Sequence, residues 1–296
     1  MKVRIAAAQY PIDAIASWEA YTDKLSHWIG EAASEGAQLL LFPEYGAMEL
    51  ARMFAPEVWS DLQQSIDFVG ASRGKIDALH AELAEKHQVY VVAASLPERD
   101  ADGVATNVAR VISPKGRIAE QCKLIMTRFE REQWKIQGAR EINVFDTRVG
   151  KFGIAICYDV EFPLIARAMN DGGAAMILAP SCTDALHGYH RVRVGAQARA
   201  LENQCYVIQS PTVGEAPWSP AVDNNVGAAG VFGPPDLGFP GDGVVAMGRL
   251  NEPMWLYAEL DLTAVTRVRM EGAVFNDKHW REQPGAAPLK ANVIEL

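Results

Sequence analysis

Short apolar runs alternate along the chain with amphipathic stretches, and the two patterns predict different elements. Continuous apolar runs of a few residues are typical of buried strands, whereas apolar positions spaced three and four apart are typical of helices. The predicted strands cover 3–9, 39–42, 89–96, 104–112, 117–121, 149–156, 176–178, 206–209, 227–232, 244–247 and 255–260. The predicted helices cover 17–37, 72–87, 163–169 and 191–203.

The order of these elements predicts an α/β protein. Repeated strand–helix units, together with a hairpin turn at 114–116, favour a mixed sheet with helices outside it. The stretch 211–243 is rich in Pro and Gly, and we interpret it as a surface or active-site loop. We expect one domain over residues 1–270. A tail over 271–296, whose last part lacks periodicity, is expected to pack on a neighbouring element or a partner subunit.

Composition and charge narrow the class of protein. The 296 residues are 49% hydrophobic and 22% charged, which is typical of a globular domain. The net charge of -9 argues against nucleic acid or an anionic membrane surface as the partner. No apolar run approaches the roughly 18–20 residues of a membrane span. The four cysteines are widely spaced, which favours a reducing, cytoplasmic location over a disulfide framework.

Three reactive side chains each lie at or just after a predicted strand: Glu44, Lys123 and Cys157. A carboxylate can accept a proton, an ammonium can stabilise an oxyanion, and a thiol can attack carbon, so together they suit acyl transfer. A cysteine at a sharp strand-to-helix turn also places the next N–H, that of Tyr158, to bind an oxyanion.

Each residue alone has a simpler interpretation. Cys157 could be a buried structural cysteine, Lys123 a solvated surface group, and Glu44 an exposed or helix-capping residue. Only their convergence in space would make a site.

These segments resemble the motifs of the nitrilase superfamily of carbon–nitrogen hydrolases. Four segments, in order, carry the resemblance: Phe42-Pro43-Glu44-Tyr45, Cys122-Lys123-Leu124, Ile156-Cys157-Tyr158-Asp159-Val160-Glu161-Phe162-Pro163, and 197–207. The resemblance extends from the first strand to about residue 260. It implies a single-domain α-β-β-α sandwich, with two sheets between layers of helices. It also implies a homodimer, or a larger homo-oligomer, formed through the helices near the nucleophile.

The resemblance also implies roles for individual residues. Glu44 is implied to be the base that activates Cys157, and Lys123 to stabilise the tetrahedral intermediate beside the Tyr158 N–H. The implied reaction cleaves a small linear amide through a thioester and releases ammonia or an amine. It requires no organic cofactor and no metal.

Many members of the superfamily carry a second glutamate shortly after the lysine. Glu130 and Glu132 are the two candidates in this chain. We prefer Glu132, because its spacing to Trp134 and Gly138 is close to that of the family. The alternative is that these carboxylates are exposed charges on a solvated turn.

Two positions depart from the omega-amidase-like branches, which tend to carry Arg and Glu where this chain has Glu161 and Leu164. An arginine binds a carboxylate through two parallel hydrogen bonds, and a glutamate cannot. Glu161 therefore favours a cationic or hydrogen-bond-donating substrate over a dicarboxylate monoamide. The alternative is that Glu161 forms a structural ion pair with Arg191 or Arg193.

The residues around the nucleophile favour one reaction over its relatives. True nitrilases usually carry Cys-Trp-Glu, whereas Cys157-Tyr158-Asp159 indicates an amidase. Thr183 and Asp184 follow a predicted strand and are expected to line the pocket, although Asp184 could instead cap the segment that follows it. The alternatives are a nitrilase, an N-carbamoyl amidohydrolase, and a catalytically silent binding or scaffold protein.

Overall fold

The computed structural model describes residues 1–283 and 291–296, so residues 284–290 of the predicted tail lie outside it. The strands are β1 (Lys2–Pro11), β2 (Leu39–Leu41), β3 (Tyr90–Val92), β4 (Leu96–Arg99), β5 (Ala105–Ile112), β6 (Ile118–Cys122), β7 (Asn143–Thr147), β8 (Gly150–Ile154), β9 (Met176–Ser181), β10 (Tyr206–Glu215), β11 (Asn224–Asn225), β12 (Gly230–Phe232), β13 (Val244–Met247), β14 (Met254–Asp261) and β15 (Asn292–Glu295).

The helices follow the same order along the chain. They are α1 (Trp18–Ser34), α2 (Pro56–Trp59), α3 (Leu62–Ala71), α4 (Arg73–His87), α5 (Pro163–Asp171), α6 (Leu186–Asn203), α7 (Leu262–Glu271) and α8 (Asn276–His279). Short 3-10 segments cover Gly46–Met53, Cys157–Glu161 and Trp280–Glu282, and one π-helical turn covers Glu130–Trp134. Among the helices of the described residues, none has the length and apolarity needed to cross a membrane.

The strands form two groups that meet at β1. In the first group β1 pairs with β14 and β2, and the ladder continues through β3 to β5, which is flanked by β4 and β6. The second group runs β15, β7, β8, β9, β10, with β12 and β13 beyond. The last two residues of β1 pair with Thr212 and Val213 of β10, and so join the two groups.

Alternation along β1 produces the layers. Val3 and Ile5 lie in a core shared with the second group of strands. Ala6 and Tyr10, on the other face, lie in a core shared with Leu25 of α1 and other helical residues. Successive side chains of a strand point to opposite faces, so a strand that is apolar on both faces must be covered on both.

Helices α5 and α6 pack on the second group of strands. A side chain at Gly153 of β8 would lie 2.5 Å from the sulfur of Met169 in α5, so only glycine permits this close approach. The order helix, sheet, sheet, helix confirms the expected α-β-β-α sandwich in a single α/β domain.

Several predicted elements have different bounds in the structure, and three of them differ most. The run 89–96 divides into β3 and the start of β4, helix 191–203 begins five residues earlier at Leu186, and β10 extends into the expected loop. The division has a visible cause, because the Ser95 N–H donates to Pro43 O at 3.1 Å and Ser95 Oγ accepts from Tyr45 N at 3.0 Å. The chain therefore leaves the ladder to support the turn after β2.

Two described parts of the tail contact the rest of the chain. Asp277 accepts a hydrogen bond from Arg167 of α5 at 3.0 Å, and β15 pairs in parallel with β7 at the edge of the second group. Packing on a neighbouring element is thus visible, while contact with a partner subunit and the division at residue 270 stay predictions.

Candidate active site

Three strand ends deliver the predicted reactive groups to one place. Glu44 lies in the turn after β2, Lys123 immediately follows β6, and Cys157 opens the 3-10 segment after β8. All three are buried, with 1%, 1% and 4% of their surface exposed. Lys123 Nζ lies 2.7 Å from Glu44 Oε1. The Cys157 thiol donates to Cys182 O at 3.7 Å, and the N–H of the same Cys182 donates to Glu44.

The backbone at two of these turns is unusual for side-chain-bearing residues. Cys157 has φ 48° and Tyr45, beside Glu44, has φ 54°. Both values lie in the left-handed region, which most L-residues avoid. The sharp turn at Cys157 agrees with the strand-to-helix turn predicted from the sequence, and strained backbone of this kind is concentrated at functional sites.

Asp159 links the segment after Lys123 to the segment after Cys157 by hydrogen bonds. Its buried carboxylate accepts hydrogen bonds from the N–H groups of Leu124 and Ile125, the latter at 2.8 Å. The segment that follows Lys123 is therefore tied to the segment that carries Cys157. The sequence does not reveal this role of Asp159, because its partners are backbone groups 34 and 35 residues away.

The second glutamate beside the lysine is Glu130, and the preference for Glu132 was wrong. Glu130 is 3% exposed and contacts Lys123 Nζ through both oxygens, at 2.8 and 2.7 Å. The Tyr45 hydroxyl also donates to it at 2.7 Å. The Glu132 side chain is 57% exposed and pairs with Arg128.

The π-helical turn explains the reversal. It begins at Glu130, and the N–H and hydroxyl of Thr127 each donate to Glu130 Oε2 at 2.8 Å, which holds the carboxylate inward. Trp134 closes the turn and packs against Tyr45, with ring centroids 4.5 Å apart. Spacing along the sequence does not reveal such a turn, because π-helical turns are rare.

Burial and mutual charge shift the pKa values of these groups. Burial raises the pKa of Glu44, Lys123 lowers it and Glu130 raises it, for a result of about 7. Burial lowers the pKa of Lys123, but the carboxylates of Glu130 and Glu44 outweigh this and leave it well above its usual value. Burial and the Glu44 carboxylate raise the pKa of the Cys157 thiol. These shifts favour the neutral form of the thiol.

Two further groups hold the Glu44 carboxylate. The Cys182 N–H donates to Oε2 at 3.1 Å, and Asn107 Nδ2 donates to Oε1 at 3.0 Å. Asn107 was not among the residues predicted for the site. Its one signal was a lone amide inside the otherwise largely apolar strand pattern of 104–112.

An open cavity of about 1000 Å³ leads to the thiol. The four residues predicted to bind substrate all line it, together with His187 and others: Tyr158, Glu161, Thr183 and Asp184. Trp134, Phe129 and the segment 220–224 form other parts of the wall. The cavity is large enough for a small molecule, and Cys157 is one of the residues that line it.

The predicted substrate-binding residues differ in whether their side chains already have partners in the protein. Glu161 lies 3.5 Å from Arg191 Nε, which is the ion pair kept as an alternative. The Thr183 hydroxyl donates to Val226 O at 2.7 Å and so belongs to the wall. Asp184 is exposed, and α6 is preceded by Ala185 without a side-chain cap, so capping does not explain it.

Comparison with known proteins adds an independent line of evidence. The family model for carbon–nitrogen hydrolases matches residues 4–236. A probable hydrolase YhcX of Bacillus subtilis is 34% identical over 277 residues, which is 92% of this chain but 52% of that protein, so the chain spans about half its length. The human omega-amidase NIT2 is 25% identical, with 93% of this chain and 94% of that protein covered.

Solved structures agree on the fold. A carbon–nitrogen hydrolase of Helicobacter pylori has a TM-score of 0.75 at 21% identity, covering 96% of this chain and 95% of its own. Nit3 of Saccharomyces cerevisiae, a nitrilase-superfamily member, has a TM-score of 0.71 at 22% identity, covering 90% and 93%. With the family model matched over most of its length, the chain belongs to the carbon–nitrogen hydrolase family.

Proposed function

We propose that this chain is a cysteine-dependent hydrolase that cleaves the carbon–nitrogen bond of a small linear amide. The observation that carries the proposal is the buried contact of Lys123 with Glu44 and Glu130 beside the Cys157 thiol. A buried lysine between two carboxylates is an expensive arrangement for a fold alone, because each ion loses its hydration. The omega-amidase relatives of Xenopus laevis and human, which cover 81% and 93% of the chain, support an amide as substrate.

In the first half-reaction Cys157 Sγ attacks the amide carbon while Glu44 takes the thiol proton. The carbonyl oxygen becomes an oxyanion, which the Lys123 ammonium and the Tyr158 N–H stabilise. The carbon–nitrogen bond then breaks, and the proton held by Glu44 passes to the leaving nitrogen. The products of this half are ammonia, or an amine, and a thioester on Cys157.

In the second half-reaction water attacks the thioester carbon and Glu44 again accepts the proton. The carbon–sulfur bond breaks, the sulfur regains its proton, and the acid leaves. Glu130 keeps Lys123 charged and in place throughout. Its pKa, which burial alone would raise, is lowered chiefly by Lys123, so its carboxylate stays ionised.

The charge of the cavity wall favours an amine-bearing or neutral amide over a dicarboxylate monoamide. The charge of Glu161 is offset by its ion pair with Arg191. The preference against a second carboxylate therefore depends on Asp184 and Asp223. Both carboxylates line the cavity, and within residues 1–283 and 291–296 neither lies within ion-pair distance of a cation. A second carboxylate on the substrate would meet this uncompensated charge.

Ammonia release tests the function directly. Amides, nitriles and N-carbamoyl compounds are supplied in parallel, with ammonia and carbon dioxide measured separately. We expect ammonia without carbon dioxide from an amide, and no turnover by Cys157→Ala. Carbon dioxide in equal amount would indicate an N-carbamoyl amidohydrolase, and turnover of nitriles alone would indicate a nitrilase.

Alkylation distinguishes an enzyme from a scaffold on the same fold. Iodoacetamide should label one cysteine, Cys157, far faster than the other three, as read by peptide mass spectrometry. Without selective labelling and without ammonia release, the binding-protein alternative is favoured. A cytoplasmic homodimer also stays part of the proposal. The exposed Leu186, Val194 and Leu201 on α6 support the homodimer, and size-exclusion chromatography with light scattering measures its size.

A further inference from the structure

Asn107 is a buried amide in the interior of β5. Side chains two residues apart in a strand point to the same face, so Asn107 shares a face with Ala109 and Val111. Both of these residues lie in the core between the two groups of strands. The surface of Asn107 is fully buried. The Nδ2 group donates to Glu44 Oε1 at 3.0 Å. A carboxylate only accepts hydrogen bonds, so the amino end of the amide must face it.

The other end of the same amide is unsatisfied. Asn107 Oδ1 is buried and has no hydrogen-bond partner among the described residues. Buried polar atoms in native proteins nearly always have a partner, and an apolar side chain of similar shape would avoid the loss. An asparagine here is therefore unfavourable for packing, and among the described residues the one hydrogen bond of its side chain is with Glu44.

The contacts of Glu44 divide between its two oxygens. Oε1 accepts from Lys123 Nζ at 2.7 Å and from Asn107 Nδ2, while Oε2 accepts from the Cys182 N–H. The ionisable groups around this carboxylate are Tyr45, Lys123, Glu130, Cys157, Asp159 and Cys182. Asn107 is the uncharged side chain among its donors, so it adds a hydrogen bond without adding charge.

We propose that Asn107 is a positioning residue, which orients the Glu44 carboxylate toward Cys157 and favours its ionised form. The inference rests on the proposed role of Glu44 as the base. The main chain of Asn107 contributes separately, because its carbonyl accepts from Lys123 N at 2.8 Å. A side-chain substitution leaves that backbone contact in place and isolates the effect on Glu44.

The test replaces Asn107 with leucine, which keeps the approximate shape and removes the donor. Losing a hydrogen bond to an ionised group moves its pKa up by about one unit. The acid limb of the rate profile should shift by the same amount, so that the rate at pH 6 falls about ten-fold while the rate at high pH changes less. The melting temperature verifies that the variant folds.

Two rates are measured against pH: kcat/KM for an amide and the rate constant of Cys157 alkylation by iodoacetamide. Asn143→Leu is the control, because Asn143 is a mostly buried amide on β7 that donates to Glu120 O, away from Glu44. Its acid limb should stay at the wild-type pH.

The outcomes separate this inference from the proposed function. An unshifted acid limb in folded Asn107→Leu overturns the positioning role, even when wild type hydrolyses amides normally. If wild type releases no ammonia, the proposed function fails, and the alkylation profile still decides the role of Asn107. If the leucine variant does not fold, Asn107→Ala removes the same donor, and an unshifted limb there overturns the proposal.

Discussion

Glu130 contacts the ammonium of Lys123 through both of its carboxylate oxygens, at 2.7 and 2.8 Å. The chain could have used Glu132 two residues later, yet that side chain is exposed and pairs with Arg128. This relationship provides a matched pair of isosteric substitutions, one at a buried glutamate and one at an exposed one.

Glu130→Gln should lower kcat by about a hundred-fold or more, the scale of losing one positioned charge or proton-transfer group. Glu132→Gln should stay within about two-fold of wild type, because exposed ion pairs contribute little. Steady-state ammonia release measures both, with melting temperatures to verify folding. Equal losses in the two variants would contradict the assignment of Glu130.

Activity should rise with pH through about 7, where Glu44 titrates. The carboxylate must be ionised to accept the thiol proton, and burial, the largest cause, holds its pKa above the usual value. Below pH 7 Glu44 is increasingly protonated, so kcat/KM falls about ten-fold per pH unit. A pH profile between 5 and 9 measures this, and an acid limb centred near 4.5 would argue against a buried base.

Charge on the cavity wall should control substrate choice. Asp184→Asn and Asp223→Asn should each raise kcat/KM for a carboxylate-bearing amide relative to an amine-bearing one, by up to about five-fold, as expected for a partly screened charge. Asp23→Asn on the exposed face of α1 is the control and should leave the ratio unchanged. A wild-type enzyme that clearly prefers an omega-amide of a dicarboxylate would refute the substrate hypothesis.

His80 should make the fold sensitive to acid. It is 1% exposed and contacts the Ile76 carbonyl at 2.9 Å, and burial lowers its pKa to about 4. In the unfolded chain its pKa is about 6.5, so the unfolded state binds the proton first as pH falls. Stability contributed by neutral His80 is present above pH 6.5 and is lost between pH 6.5 and 4, by about 3 kcal/mol in all.

Urea unfolding at pH 7.5 and pH 4.5 measures this loss. His80→Gln should lose less stability between the two pH values than wild type does. His27→Gln is the control, because the His27 side chain is 76% exposed, and it should lose as much as wild type. Equal losses in all three proteins would show that His80 does not set the acid limit.

Much of the fold could be predicted, because most of its strands and helices have a clear local hydrophobic periodicity. Apolar runs identified β1, β2, β9 and β13 within a few residues, and the alternation of strands and helices identified the α/β class. The elements between 46 and 71, the strands β7 and β15 and the helix α7 were not predicted, because short segments without a clear period carry little signal.

What the sequence determined by itself was the set of reactive groups and their places at strand ends, since Glu44, Lys123 and Cys157 each follow a run whose pattern is local. What only the tertiary structure decided was the choice between near neighbours and the partners across the fold. A π-helical turn turned Glu130 inward and left Glu132 in solvent, and strand β5 brought Asn107 to a carboxylate 63 residues away. Such contacts depend on which strands pair and on the conformation of the turns. The hydrophobic periodicity of a single sequence specifies neither of them.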